Sequence, residues 1–573
     1  MEKTFAAKKF HSLIFANTVA MLAEFLTVLA DNVIAGNMLG EVALSAITLI
    51  TPFFSFLVFT AFLVAIGTSI VVSSEVGAGS RENADRYFSQ GLILTTGLSV
   101  VMTAAFFTAS LWLPSFFDVP AEVEAYVSDY FFYLCLLPAP LLFGALFYNI
   151  LLNEGGETYA IVSTAVQLVT NIVLSVVLCL YMGIGGISLA SAISTMLGTA
   201  ALATFFLSRR NPFRFRWFVG VTATMRVLRY SMLDAGIYLY IFLTPFIMNI
   251  FLLDRFGTDG VVVFTVVLNV MLLMVTGFDG IGESVQPLIS VYRAEGGRTG
   301  IRKTMASATR AAVVEGVVVT AVLLIAADHI PGLFGITTPS LVAESAVAIR
   351  IFALSACAVS LLMLYTAYLL YMEYVLFSAA IAMLYFFALP ATLGVAAGSL
   401  FGLRGVWIAF ALAGVVAALL CRLGAERLYR GKGGMPLFGG GEPLDELSYD
   451  VAKTPESIDR LVARVEHDLG ERGVARDTIL KIMLMIDSTE MYSMEEGEEK
   501  GAVVECTILL GEPITLILRD TGDRDAVMSE GTAAANADAN DTSLNFVCRT
   551  VLGSHRNRQH ILTSGKNRSI FHF

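Results

Sequence analysis

The residues able to do chemistry in this chain are few, and the most telling are carboxylates set in apolar surroundings. Asp31 stands late in an apolar run over 11–35, with Glu24 seven residues before it, two helical turns away and roughly on the same face. An ionisable group inside a bilayer is costly and usually faces a cavity or a partner, where a carboxylate can bind a cation or hold a proton. Solvation near the membrane surface is the other reading of Asp31. Asn171 and Ser175, four apart, share a helix face in another apolar run, and Asn171 could equally be interhelical hydrogen-bonding glue. Asp279, Glu283 and Gln286 follow a four-then-three spacing on one face of a third run. Glu283 there either lines a cavity opposite Asp31 or is solvated in an open cleft. Glu315 lies in the middle of a further run with no evident partner. The six cysteines form no close pair and the six histidines no ligand pair, so neither disulfides nor metal catalysis is expected.

Such residues need a membrane bundle to position them. Of 573 residues, 56% are hydrophobic and 15% charged, against roughly 25% charged in soluble domains, and the mean hydropathy is +0.74. The net charge of −11 argues against nucleic acid as a partner. A crossing helix needs about 20 mostly apolar residues. Twelve runs qualify: 11–35, 45–74, 88–113, 128–152, 160–182, 185–207, 231–253, 260–292, 304–327, 347–372, 375–399 and 404–424. The first is too long and too weakly terminated for a cleaved signal peptide. With the N-terminus inside, 20 Lys and Arg fall in cytoplasmic segments and 3 on the far side, so both ends are expected in the cytoplasm.

The runs repeat. Residues 182–192 (MGIGGISLASA) resemble 401–411 (FGLRGVWIAFA) at an offset of 219, and 77–81 pairs with 295–298 at an offset near 218. Two six-helix repeats, 1–216 and 217–430, follow, an arrangement that commonly encloses a binding site at the repeat interface. Shared Gly/Ala-rich helix packing is the plainer explanation. Pro52, Pro138, Pro140, Pro245, Pro287 and Pro390 fall inside runs, each freeing a backbone carbonyl and permitting a kink. Tyr238, Phe242, Met271 and Tyr365 are among aromatic and Met residues that could line an organic-cation site, or simply pack.

The ordered motifs resemble the multidrug and toxic-compound extrusion (MATE) family over about 10–425. They are 30–36 (ADNVIAG) with 39–46 (LGEVALSA), 75–80 (EVGAGS), 153–156 (NEGG), 171–174 (NIVL), 183–186 (GIGG) and 282–290 (GESVQPLIS). The resemblance implies antiport: an organic, often cationic, compound leaves while protons or sodium enter, without ATP. It marks Asp31 as the first-helix acid. Many relatives carry an Asp four residues after the equivalent of Asn171; here that position is Ser175, which removes one charge from the ion site.

Charge placement finds a second part. Residues 1–439 hold 24 acids and 23 bases, whereas 440–573 hold 24 and 14, and the Gly/Pro-rich linker 431–443 lies at the boundary. Over 444–573 the pattern predicts a strand at 444–452, helices at 457–470 and 476–494, and strands at 502–510 and 513–519. A polar loop (529–542), a helix (543–552) and a hairpin of 558–563 with 568–573 complete it. This order resembles the histidine-kinase-like ATPase fold of anti-sigma-factor kinases, with Asp520 and Gly522 in the adenine-binding box and Asp487 as the acid on the second helix. The magnesium-binding Asn is missing, since position 491 is Met, and no Gly-rich stretch covers the phosphates.

The sequence therefore predicts an all-α polytopic protein of the cytoplasmic membrane, with twelve transmembrane helices in two six-helix repeats and a C-terminal α/β-sandwich domain in the cytoplasm. The expected activity is antiport of organic compounds, not enzymatic, with Asp31, Glu24, Asn171, Ser175, Glu283 and Gln286 handling the ion and substrate. Membrane lipids and a protein docking on the soluble domain are the expected partners beside the substrate. No cofactor is required, and ATP turnover is not expected. A lipid or amphiphile flippase, or a receptor relaying through the soluble domain, are the alternatives.

Overall fold

The structure, a computed structural model, describes residues 4–77, 80–117, 119–153, 157–207, 213–218, 220–429, 446–495, 503–520, 558–560 and 568–573. Backbone in a bilayer must satisfy its own hydrogen bonds, so the apolar runs become helices. The chain opens with α1 (Phe5–Leu39), α2 (Glu41–Gly77), α3 (Arg81–Ser110) and the short α4 (Leu113–Phe116). A bent pair, α5 (Ala121–Leu134) and α6 (Pro138–Asn153), precedes the hairpin of α7 (Glu157–Met182) and α8 (Ile184–Leu207). The plan then recurs as α9 (Val221–Glu295), α10 (Arg298–Ala326), the short α11 (Ile330–Leu333) and the bent pair α12 (Pro339–Ala353) and α13 (Ala356–Tyr371). It ends with α14 (Val375–Met383), α15 (Leu389–Phe401) and α16 (Leu403–Tyr429). Among the described residues, eight helical runs are long and apolar enough to cross a membrane, or ten if each bent pair is one span. The chain is a multi-pass membrane protein.

Several expected spans differ in form. Runs 128–152 and 347–372 are not single straight helices: each lies in a pair of helices bent by 51°. In the first pair, Pro138 starts the second helix, where its missing N–H costs no ladder bond. Runs 231–253 and 260–292 are both contained in α9, whose backbone leaves the helical region at Gly257 (φ 66°, ψ −162°). The run 375–399 contains a π-helical turn, Leu384–Ala388, between α14 and α15.

Local geometry repeats with the sequence. Gly183 (φ 60°) and Gly402 (φ 72°), 219 apart, each make the turn into the following helix in a conformation that disfavours a side chain. Three residues on, Gly186 and Gly405 pack so closely that a Cβ on either would lie 2.3 Å from a carbonyl oxygen, of Leu178 and Ala397 respectively. The two bent pairs are also equivalent in order and angle.

Two prolines explain two buried polar side chains. Pro52 cannot donate to the carbonyl of Thr48, four residues earlier, and Asn249 Nδ2 donates to it instead at 2.7 Å. Pro390 likewise leaves the carbonyl of Phe386, which accepts from Thr244 Oγ1 at 2.5 Å within the π-helical turn. Asn249 and Thr244, both on α9, therefore replace ladder bonds that proline removed.

The chain divides into two compact units: residues 18–282 with 312–423, and residues 1–17, 283–311 and 424–573 together. The soluble segment expected as a separate domain thus shares a unit with the start of α1 and the α9–α10 junction. It contains β1 (Glu446–Ala452), α17 (Pro455–Glu471), α18 (Arg476–Glu495), β2 (Val503–Leu509), β3 (Thr515–Asp520), β4 (Arg558–His560) and β5 (Arg568–His572). The strands form an antiparallel sheet in the order β1-β2-β3-β5-β4. Ile458, Leu461, Val465 and Leu469 of α17 and Ile482 and Met485 of α18 pack on one sheet face, against Tyr449, Val504, Cys506, Ile508, Leu516, Leu518 and Phe571. The polar loop at 529–542 and the helix at 543–552 lie outside the described residues.

The opposite face is polar. Glu446, Ser448 and Asp450 alternate along β1, and register aligns Asp450, Glu505 and Arg519 across three strands. Arg519 Nη1 donates to Glu505 Oε2 at 2.6 Å, Arg519 also pairs with Glu295, and the Tyr292 hydroxyl donates to Glu505 Oε2 at 2.8 Å. Burial pushes the Glu505 carboxyl from an ordinary 4.5 to about 8, the Asp450 carboxylate adding to it and Lys303 opposing it.

Two outcomes follow from these arrangements. Asn249→Leu should lower stability by about 1–3 kcal/mol, because it strands the Thr48 carbonyl, and the loss should largely vanish in a Pro52→Ala background. Thermal unfolding in detergent of the four proteins checks this; equal losses in both backgrounds would sink it. Glu505 has a raised pKa in the folded state, so its favourable contribution is complete below its ordinary pKa and is lost as pH rises through the folded one. The C-terminal unit should therefore unfold more easily as pH rises from about 5 to about 8, and Glu505→Gln should flatten the profile. Stability rising over that window would contradict it.

Candidate functional site

α7 and α8 run antiparallel from the Gly183 turn, and polar side chains at every fourth position of α7 face polar partners on α8. Ser163 Oγ donates to the Gly198 carbonyl at 2.8 Å, Gln167 Nε2 to Thr195 Oγ1 at 3.2 Å, and Asn171 Nδ2 to Ser191 Oγ at 3.1 Å. The last position, Ser175, donates instead to Asp31 Oδ1 at 2.9 Å. Ser191 Oγ donates to Asp31 Oδ2 at 2.6 Å, so α1 joins the hairpin through one carboxylate that accepts from both helices.

The end of α1 is fixed independently. A Cβ on Gly36 would lie 1.8 Å from the Phe334 carbonyl oxygen, so only glycine permits this contact. Asn37 Nδ2 donates to the Leu333 carbonyl at 2.7 Å, and Asn32 Nδ2 to Asn269 Oδ1 at 3.2 Å. Just beyond, Glu41 accepts from the backbone N–H groups of Thr337 and Thr338 at 2.8 and 2.9 Å, supplying the N-terminus of α12 with the cap its own Thr338 side chain does not give.

Asp31 lines a cavity of about 370 Å³. Its polar wall includes Asn171, Ser191, Gln167, Thr195, Tyr130 and Tyr148, and its apolar wall Ile47, Ile50, Phe54, Val58 and Phe62. Tyr238 also lines it, stacked on Phe62 with ring centroids 4.6 Å apart. Asp31 is the one charged side chain among the described lining residues, and no basic side chain pairs with it among the described residues. The Asn171 Oδ1 atom is buried with no hydrogen-bond partner among the described residues, leaving an acceptor beside the carboxylate. This arrangement can hold a cation or a proton at Asp31 and offer aromatic faces to an organic group.

The structure brings Asp31, Asn171 and Ser175 together. Glu24 is on α1, but its side chain lies outside the described residues. Glu283 is half-buried and Gln286 exposed, and both belong to the other compact unit. Four-then-three spacing identifies a shared helix face, but not what that face meets. Asp487 is exposed on α18. Asp520 ends β3 with its side chain outside the described residues, as is Gly522 altogether. Glu315 buries its Oε2 without a hydrogen-bond partner, away from the lining of this cavity. Sequence reading missed Ser191, Ser163, Gln167 and Tyr130 as site residues. The recurrence of polar types at 163, 167, 171 and 175 was the available signal.

A family model described as MatE matches residues 17–177, which take in α1 from residue 17, α2 to α6 and most of α7. The solved structure of a multidrug resistance MATE family transporter in an inward-facing conformation matches with a TM-score of 0.68 at 20% identity, covering 74% of this chain and 98% of its own. The membrane bundle has the MATE fold. An outward-facing multidrug resistance MATE transporter matches with a TM-score of 0.61 at 20% identity, covering 74% of this chain and 96% of its own. A MOP superfamily transporter from Pyrococcus furiosus, described as having a binding pocket of reverse polarity that suggests a different function, matches with a TM-score of 0.61 at 20% identity, over 73% of this chain and 94% of its own. No curated protein gives a significant sequence match.

Removing the Ser191 hydroxyl should cost about 1–3 kcal/mol, because it strands both an Asp31 oxygen and the Asn171 amide. In an Asp31→Asn background Ser191→Ala should cost less, since the acceptor charge is gone. A double-mutant cycle on thermal unfolding measures this, and a coupling of zero would refute the hydrogen bond.

Proposed function

We propose that this protein is a secondary active antiporter that exports organic cations or amphipathic compounds in exchange for protons or sodium. The observation that carries this reading is the polarity of the cavity: a buried carboxylate is its one charged side chain among the described lining residues, within the MATE fold. A buried anion is disfavoured unless a proton or cation accompanies it, so Asp31 favours being occupied in turn by the coupling ion and by a cationic substrate. Ser175 and Ser191 position the carboxylate and stabilise its ionised form, a role that an Asp at 175 could not share without adding charge. Tyr238, Tyr130 and Phe62 would meet the organic part of the substrate.

We propose a topology and a role for the soluble domain as well. α1 and the two arms of α9 on either side of Gly257 would bring the spans to twelve, in two six-helix repeats. The Lys/Arg distribution supports both termini facing the cytoplasm, in the cytoplasmic membrane. The C-terminal unit is a regulatory module of histidine-kinase-like ancestry without turnover: its strand and helix order supports the resemblance, and Met491 in place of the magnesium-binding Asn argues against ATP hydrolysis.

Reconstituted in vesicles, the protein should drive gradient-dependent flux of a fluorescent organic cation, and Asp31→Asn should reduce that flux to the protein-free level. Flux retained in Asp31→Asn would remove Asp31 from the coupling step. Absence of flux in wild type under both proton and sodium gradients, with several cations, would favour a flippase or receptor.

A further inference from the structure

The N-terminus of a helix leaves four backbone N–H groups without intrahelical partners, and carboxylates are stabilised beside them. Strand β1 supplies such carboxylates to two helices distant in sequence. Asp450 Oδ1 accepts from the backbone N–H of Phe5, the first residue of α1, at 2.9 Å. Glu446 accepts from the backbone N–H of Arg298 at 2.9 Å and of Thr299 at 3.2 Å, the first two residues of α10. Thr4 caps α1 from its own side, through Ala7, whereas the N–H groups at the start of α10 go to the soluble segment. Lys303, on the first turn and a half of α10, closes the arrangement by donating to Ser448 Oγ at 2.9 Å and to Asp450 Oδ2 at 2.5 Å.

Asp450 is thus held by α1 through one oxygen and by α10 through the other. Its carboxylate is 8% exposed and that of Glu446 belongs to a residue 7% exposed, so these are not solvated surface pairs. The same sheet face continues to Glu505 and Arg519, which take up Tyr292 and Glu295 from the end of α9. β2 is buried at six of its seven residues, as expected for a strand covered on both faces.

We propose that β1 acts as a staple, capping α1 of the first repeat and α10 of the second with one strip of carboxylates, so that the soluble domain restrains these two helices from parting and brakes the transport cycle. The brake rests on the transporter reading above; the staple does not. Movement of one repeat against the other must change the distance between the starts of α1 and α10, and with Asp450 bonded to both it must first break a buried, charge-assisted contact.

Hydrogen exchange on the full chain in lipid nanodiscs, alongside vesicle flux, tests this. Asp450→Ala should raise exchange at residues 5–9 and 298–304 at least tenfold while 458–486 stays protected, showing that the soluble core remains folded. Lys303→Met, outside that core, should do the same at 298–304. Gradient-driven flux should rise severalfold in both variants. Unchanged protection at the helix starts in both would overturn the staple. Loosened helix starts with flux unchanged or reduced would overturn the brake. Wild type without flux would instead count against the transporter reading, and the exchange result would still decide the staple.

Discussion

A carboxylate inside an apolar bundle is tolerated only with compensation, and the membrane unit is organised around that requirement at Asp31. The α7–α8 hairpin turns its polar face toward α1, and two serines from different helices donate to the two oxygens of one acid. The hydroxyls satisfy hydrogen-bonding capacity without neutralising charge. On the proposed antiport, what neutralises the charge would come and go, and that incompleteness would serve the exchange. A fixed Lys or Arg beside Asp31 would compete with any cation entering the cavity.

The same compensation shapes the rest of the bundle. Pro52 and Pro390 each withdraw a hydrogen-bond donor, and Asn249 and Thr244 restore it from another helix. Glu41 caps α12, and Glu446 and Asp450 cap α10 and α1. Repeatedly, an unsatisfied backbone group in one element is answered by a side chain far away in sequence. Within the membrane, where lipid is as apolar as the helices, the bonds of Asn249 and Thr244 tie helices together without a hydrophobic drive.

Much of this was legible in the chain. Hydropathy locates the helical runs because bilayer thickness fixes their length, and the 219-residue offset reappears as matched glycine turns. Asp31, Asn171 and Ser175 could be chosen because polar residues in apolar runs are costly and four-residue spacing defines a face. The strand expected at 444–452 and the helix expected at 457–470 correspond to β1 and α17 to within two residues at each end. What could not be read were partners across helices. Periodicity says that Glu283 and Gln286 share a face, but nothing local says what that face meets. Nor could it show that the polar face of β1 meets the starts of α1 and α10, because the Gly-rich linker carries no information about docking. The bends in 128–152 and 347–372 were missed because hydropathy averages over a break of a few residues.

Ion release on substrate binding, recorded on purified protein in weakly buffered detergent solution, decides whether Asp31 exchanges one occupant for another. If Asp31 is occupied alternately by coupling ion and substrate, binding an organic cation should displace a proton or a sodium ion, and Asp31→Asn should abolish the displacement. Cation binding that displaces neither ion in wild type, or displaces it equally in Asp31→Asn, would contradict exchange at this carboxylate.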